Sequence, residues 1–180
     1  AFFASDLGAQ MKKQAEEQLN IKILGPTFFG TRQVGLKPKK KINTPADLAG
    51  IKLRMPNGDA WQFLGTALGA NPVPMAYAEV YTGLQTGAID GQDNPLPHVE
   101  NMKFYEVMSQ IVLTSHLVGF DILTVSAKAW SEMSADQQAK FQAAADKAIA
   151  FSTEKHLGRE KELVDLFKSK GLNIYTPDVE

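Results

Sequence analysis

Residues 6–19 carry a thin apolar stripe, Met11, Ala15 and Leu19, in a mixed-charge segment that Asp6 can start. This spacing predicts an exposed helix. Ile21-Lys22-Ile23-Leu24 predicts a short strand ending at Gly25-Pro26, and 28–36 an extended run containing Gly30 and Gly35. Residues 37–41, Lys-Pro-Lys-Lys-Lys, read best as a solvated hairpin tip. From Thr44 a regular alternation begins. Thr44-Pro45 is an N-cap with proline at the first helical position, predicting a short helix that Gly50 stops. Residues 51–55 alternate with period two and predict a strand ending at Pro56. A helix over 59–68 closes at Gly69, and 71–75 is a short extended piece. Tyr77, Val80, Tyr81 and Leu84 fall at i, i+3, i+4 and i+7, predicting a helix over 76–86 capped by Gly87. Residues 88–91 predict a strand, and Asn94-Pro95 a turn before a short helix over 96–102.

The second half continues with two β-rich runs, 105–117 and 120–125, and a helical turn over 127–132. Ser134 and Gln137 form a capping box for a helix running to Lys170, with Gly158 inside it as a candidate bend. Residues 172–175 predict a last strand. Strands alternating with helices of about ten residues imply α/β layering with largely parallel pairing. A helix of this length exceeds one small domain and is expected to span two lobes.

Composition narrows the chemistry. The chain has 180 residues and no cysteine, which excludes disulfide scaffolds, thiolate metal sites and thiol nucleophiles. Its net charge of -1 gives no support for a nucleic-acid partner. The most apolar stretch, around 111–113, is far short of the roughly 18 residues of a membrane helix. The opening Ala1-Phe2-Phe3, without an initiator Met or a signal-peptide pattern, reads as a processed product or a fragment.

No HExxH, GxSxG, Walker A or GxGxxG motif is present, so catalysis has no positive evidence and no cofactor or metal is expected. His98 with Glu100 and Asp93 is the one imaginable metal cluster, and its spacing fits no metal motif. Arginine is rare: Arg32, Arg54 and Arg159 are three of 19 basic residues. Arginine offers a planar fork matched to a carboxylate. Arg54 stands at the carboxyl end of an apolar strand, where ligands of open α/β sheets sit. Arg32 lies in an extended run between Gly30 and Gly35. Each is equally readable as an ordinary residue: Arg54 paired to a nearby acid, Arg32 exposed on a strand. Asn94 is a turn-former or a presented amide, and Trp61 and Tyr77 are core aromatics or pocket walls.

Several long segments together carry a family resemblance. They are Gly30-Thr31-Arg32-Gln33, the run 48–56 (Leu-Ala-Gly-Ile-Lys-Leu-Arg-Met-Pro), the run 72–81 (Pro-Val-Pro-Met-Ala-Tyr-Ala-Glu-Val-Tyr), the run 84–95 ending Asp-Asn-Pro, and 103–107. In order and spacing, from about 21 to 175, they closely resemble the solute-binding proteins of TRAP transporters, the DctP type. The resemblance implies a two-lobed periplasmic-binding-protein-like α/β fold with the first lobe incomplete and a long helix spanning both lobes. Residues 1–28 and 120–158 would belong to lobe one, and 29–118 and 159–180 to lobe two. It implies a periplasmic protein that closes on a small organic acid and hands it to TRAP transporter membrane subunits. By the same resemblance Arg54 matches the arginine that pairs with the ligand carboxylate. Arg32 matches a second cationic contact, Asn94 an amide on the carboxylate, and Tyr77 an aromatic wall. His116 and Asp121 fall where other ligand or water contacts arise, and Trp61, with Asp59, lies in a segment that tunes specificity. Two other classes stand beside this reading. One is a ligand-sensing domain of a regulator with the same type of fold; the other is a metal-assisted hydrolase built on His98 and His116.

Overall fold

The computed structural model describes Phe3 and residues 5–178. The chain folds as a mixed α/β structure around a six-stranded sheet. Helix α1 (Asp6–Leu19) starts at Ser5, whose hydroxyl accepts from the Gly8 amide at 3.2 Å. It ends at Asn20, held left-handed at φ 53°. Strand β1 then runs unbroken over Ile21–Leu36, so the predicted stop at Gly25-Pro26 is absent. Gly25 marks close packing instead: a Cβ there would stand 2.8 Å from Ile149 Cδ1. Proline interrupts a strand only where the ladder needs its missing N–H.

The middle of the chain forms β2 (Lys52–Met55), α2 (Asp59–Ala67), β3 (Asn71–Pro74) and α3 (Val80–Thr86). Tyr77 falls in a 3-10 turn over Tyr77–Glu79 ahead of α3 rather than inside one helix. Strand β4 covers Gly91–Pro95, about three residues later than the pattern predicts, and its five residues are all buried. A polar strand, Gly-Gln-Asp-Asn-Pro, has no hydrophobic alternation to betray it. Gly91 admits the close approach, since a Cβ would lie 2.6 Å from the Gly35 carbonyl oxygen. After α4 (Leu96–Asn101), β5 is a single strand, Gln110–Ser126, where two runs were expected. Its one backbone irregularity is Ser115 at φ 46°. Helices α5 (Ala127–Ser131) and α6 (Ala135–Ser169) and strand β6 (Asn173–Tyr175) complete the order. The capping box of α6 is present, with the Ser134 amide donating to Gln137 Oε1 at 2.8 Å.

The sheet order is β3-β2-β4-β1-β5-β6. It is mixed: β2 is parallel to β3 and β4, β5 is parallel to β6, and β1 is antiparallel to β4. The chain divides into two compact units. Unit 1 is Ala1–Phe29 with Gly119–Leu157, and unit 2 is Gly30–Val118 with Gly158–Glu180. Strands β1 and β5 and helix α6 each pass from one unit into the other.

Unit 2 contains two apolar clusters. Ile111 belongs to one and Val112 to the other, so they lie on opposite faces of the sheet. The first gathers α3, α4 and the end of α6, with Leu84, Phe104, Leu163 and Phe167 at 0% exposure. The second gathers Leu36, Leu48, Leu53 and Met55 beneath α2. Each such side chain contributes about 1.5–3 kcal/mol when fully buried. Unit 1 buries Leu24 and Ala145 but leaves Leu7, Met11, Phe120 and Phe151 exposed. An apolar groove there is lined by Met11, Ile23, Leu24, Phe120 and Ile122.

Phe167 stacks on Tyr105 at 5.4 Å between ring centroids and ties α6 to the first cluster. Phe167→Ala is expected to destabilise unit 2 by about 3–5 kcal/mol, read as a lowered urea midpoint in the full-length protein. A midpoint unchanged from wild type would show that α6 is not what closes this core.

Candidate functional site

Strand register gathers the polar residues of unit 2 at one end of the sheet, at the carboxyl ends of β2 and β4. Arg54 on β2 lies opposite Gln92 on β4, and Gln33 on β1 lies opposite Asn94. Paired residues share a face and neighbours along a strand alternate. Arg54, Gln92, Asn94 and Gln33 therefore project to one face. Arg32 and Asp93 project to the other, as a diagonal pair across β1 and β4.

The two arginines are in opposite states. Arg32 is 4% exposed and is held on both sides of its fork by Asp93, which is 0% exposed. Its Nε donates to Asp93 Oδ2 at 2.5 Å, and Nη2 donates to Oδ1 at 2.9 Å and to the Asp93 carbonyl at 2.6 Å. The guanidinium also lies over the Trp61 ring, 4.7 Å from its centroid. Arg54 is 3% exposed, yet its Nε donates only to the Met75 carbonyl, at 2.9 Å. Among the described residues its two terminal nitrogens have no hydrogen-bond partner and no carboxylate. Burial pushes the Arg54 guanidinium below its ordinary value; Asp93 opposes this and the Arg32 cation adds to it. An arginine so placed stays charged, so a cation is held at the sheet end with half its fork uncommitted.

The remaining residues frame this cation. Asn94 Nδ2 donates to Gln92 Oε1 at 2.6 Å, which fixes the amide plane. The Tyr77 ring centroid is 6.0 Å from the Arg54 guanidinium carbon, and the ring packs on Phe104 at 5.9 Å. The Tyr77 hydroxyl lies 3.4 Å from His98 Nδ1. Burial raises the Tyr77 pKa, with the Arg54 and Arg32 cations pulling against it. His116 places Nε2 3.3 Å from Asp93 Oδ2 and Nδ1 2.7 Å from Thr114 Oγ1. For Asp93, burial favours the neutral acid, but hydrogen bonds from His116 and Arg32 outweigh it and hold the carboxyl below the ordinary range.

Unit 2 thus holds these residues at one end of its sheet in two groups, Arg54, Asn94 and Tyr77 in one and Arg32, Trp61 and His116, with Asp93, in the other. Asp121 lies on the unit-1 portion of β5 and is exposed. Asp59 is the exposed first residue of α2. Among the described residues no three His, Asp or Glu side chains form a metal cluster. Glu100 instead pairs with Arg159, and Asp93 with Arg32.

The whole sequence, residues 1–180, matches the family described as bacterial extracellular solute-binding protein, family 7. The chain belongs to this DctP family. The sialic acid-binding periplasmic protein SiaP of Vibrio cholerae is 36% identical to this DctP chain over 178 residues, covering 99% of the chain and 55% of SiaP. The 2,3-diketo-L-gulonate-binding periplasmic protein YiaO of Escherichia coli is 30% identical, covering 91% and 50%. Two TRAP periplasmic solute-binding proteins from Roseobacter denitrificans share the fold. One, solved with bound 3-deoxy-D-manno-oct-2-ulosonic acid, is 49% identical with a TM-score of 0.96, covering 99% of this chain and 59% of that one. The other, with bound L-galactonate, is 32% identical with a TM-score of 0.87 and the same coverage. The DctP chain spans about half the length of the curated relatives it matches.

Sequence reasoning met Asp93 only as an imaginable metal ligand and missed it as the partner of Arg32. It passed over Gln92 and Gln33 as well. The signal was present in the run Gln92-Asp93-Asn94: three polar residues ahead of Pro95 form a strand only if each side chain has a partner.

A carboxyl whose folded pKa is lowered stabilises the protein above its unfolded value, about 4, and loses that contribution as pH falls through the folded value. Asp93→Asn is expected to cost about 3–5 kcal/mol near pH 7, because Arg32 would stay buried without its counter-charge. Melting temperatures of wild type and Asp93→Asn should converge as pH is lowered from 4 towards 3. A gap that stays constant over that interval would show that the pair does not carry the stability.

Proposed function

We propose that this DctP chain is part of the extracytoplasmic, periplasmic solute-binding component of a TRAP transporter. It binds a small organic acid through the acid's carboxylate and delivers it to the membrane subunits, without catalysing a reaction. The observation that carries this reading is Arg54: a guanidinium buried at the carboxyl ends of parallel strands, with its terminal nitrogens uncommitted. A buried charge is costly unless paired and hydrogen-bonded, and a ligand carboxylate supplies both in one planar contact.

The neighbouring groups take roles consistent with that contact. Asn94, on the same face as Arg54, offers its amide to the carboxylate. Arg32 adds a hydrogen-bond donor. Tyr77 and Trp61 are walls on which an acid's carbon skeleton rests. His116, held between Asp93 and Thr114, borders the site within unit 2. The acid ligands of the Roseobacter proteins and of SiaP and YiaO support the reading from outside the chain.

Calorimetry of the full-length protein against sugar acids and C4-dicarboxylates tests it. Arg54→Ala is expected to weaken binding by about 2–5 kcal/mol, the loss from truncating one partner of a buried charged pair. That is about 30- to 4,000-fold. Arg54→Lys should recover little, since an ammonium cannot make the fork. Unchanged affinity in Arg54→Ala would place the carboxylate elsewhere and remove the basis of the proposal.

A further inference from the structure

We propose that the site is selective for acids carrying a single negative charge, and that Asp93 sets this selectivity without touching the ligand. The inference rests on the carboxylate reading above and deepens it. Three groups that are charged near neutral pH act on one another at the sheet end: Arg54, Arg32 and Asp93. Arg32 and Asp93 neutralise each other through two side-chain hydrogen bonds in a fully buried geometry. What remains is one uncompensated positive charge, on Arg54. A monoacid brings this site to neutrality. Among the described residues of this sheet end, a diacid's second carboxylate meets no further free cation and is either stripped of water without a partner or left outside.

The nearby polar groups point the same way. Asn94 and Tyr77 are uncharged donors and acceptors suited to hydroxyls, while Gln33, Gln92 and Thr114 are engaged within the fold and add no charge. His116 faces Asp93 through Nε2 and Thr114 through Nδ1, so its ring is engaged within this network. The ligand class that fits is a polyhydroxy monocarboxylate, a sugar acid rather than a dicarboxylate. Asp93 acts through Arg32: by cancelling that cation it removes the second anchor that a diacid requires.

The test is calorimetry at pH 8, above the ordinary range of imidazole titration, on the full-length protein. The probes are the monoacids glucuronate, galactonate and 3-deoxy-D-manno-oct-2-ulosonate and the diacids galactarate, succinate and malate. Galactonate and galactarate share six carbons and four secondary hydroxyls and differ only in one end group. The best monoacid is expected to bind at least ten-fold tighter than the best diacid. A smaller ratio overturns the selectivity and leaves the carboxylate reading standing. Binding of none of the six overturns both. Asp93→Asn should shift the ratio towards diacids by ten-fold or more, and Asp93→Glu should keep the wild-type ratio. A merely structural role would weaken both classes by one factor and leave the ratio where it was, which also overturns the proposal. If Asp93→Asn does not fold, the wild-type ratio decides alone.

Discussion

Two guanidiniums buried at one end of one sheet set the terms for the rest of unit 2. Neither can be held there without a counter-charge or a compensating set of acceptors. Arg32 has its counter-charge in Asp93. Arg54 has one backbone acceptor and otherwise depends on the charges around it. The fold is arranged so that this second arginine is tolerated. Its Nε is anchored on the Met75 carbonyl, Asp93 offsets part of its field, and the Tyr77 ring covers one side. A site of this kind departs from local stability in one place and is supported by consistent packing elsewhere. Here that support is the pair of apolar clusters on either face of the sheet.

The arrangement depends on β4. Its residues are polar, its side chains alternate between the two faces, and it lies between β2 and β1. A slip of one residue would exchange the faces of Gln92, Asp93 and Asn94. Asp93 would then leave Arg32, and Asn94 would leave the face of Arg54. Gly91 pins the register, because only a residue without Cβ fits against Leu36 and the Gly35 carbonyl. Gln92 adds a contact from its Nε2 to Met108 Sδ at 3.6 Å.

Much of this was legible in the chain. Helix starts at Ser134 and Thr44 follow from caps, and the rarity of arginine singled out Arg32 and Arg54. The location of Arg54 followed from its place at a strand end. What sequence alone did not give has a common cause in long-range pairing. Arg32 and Asp93 are 61 residues apart, and whether either arginine is neutralised depends on a register that no local pattern encodes. The same holds for Gly25, which reads as a strand stop until α6 is seen packed against it. β4 was misplaced because hydrophobic periodicity cannot locate a strand whose buried side chains are amides and a carboxylate.

The polar groups at the sheet end are also held by bonds within the unit. Asp93 fixes the Arg32 fork at three points, Met75 fixes Arg54 at Nε, and Gln92 fixes the Asn94 amide. Immobilising a long side chain on binding costs about 0.5–1.5 kcal/mol each, and here folding has already met that cost. The second part of unit 2, Gly158–Glu180, contributes Leu163, Phe167, Leu172 and Ile174 to the cluster that also holds Phe104. Phe104 in turn supports the Tyr77 ring beside Arg54. The end of α6 thus reaches the cation through two aromatic side chains. The placement of the Arg54 fork is therefore a property of the whole folded unit.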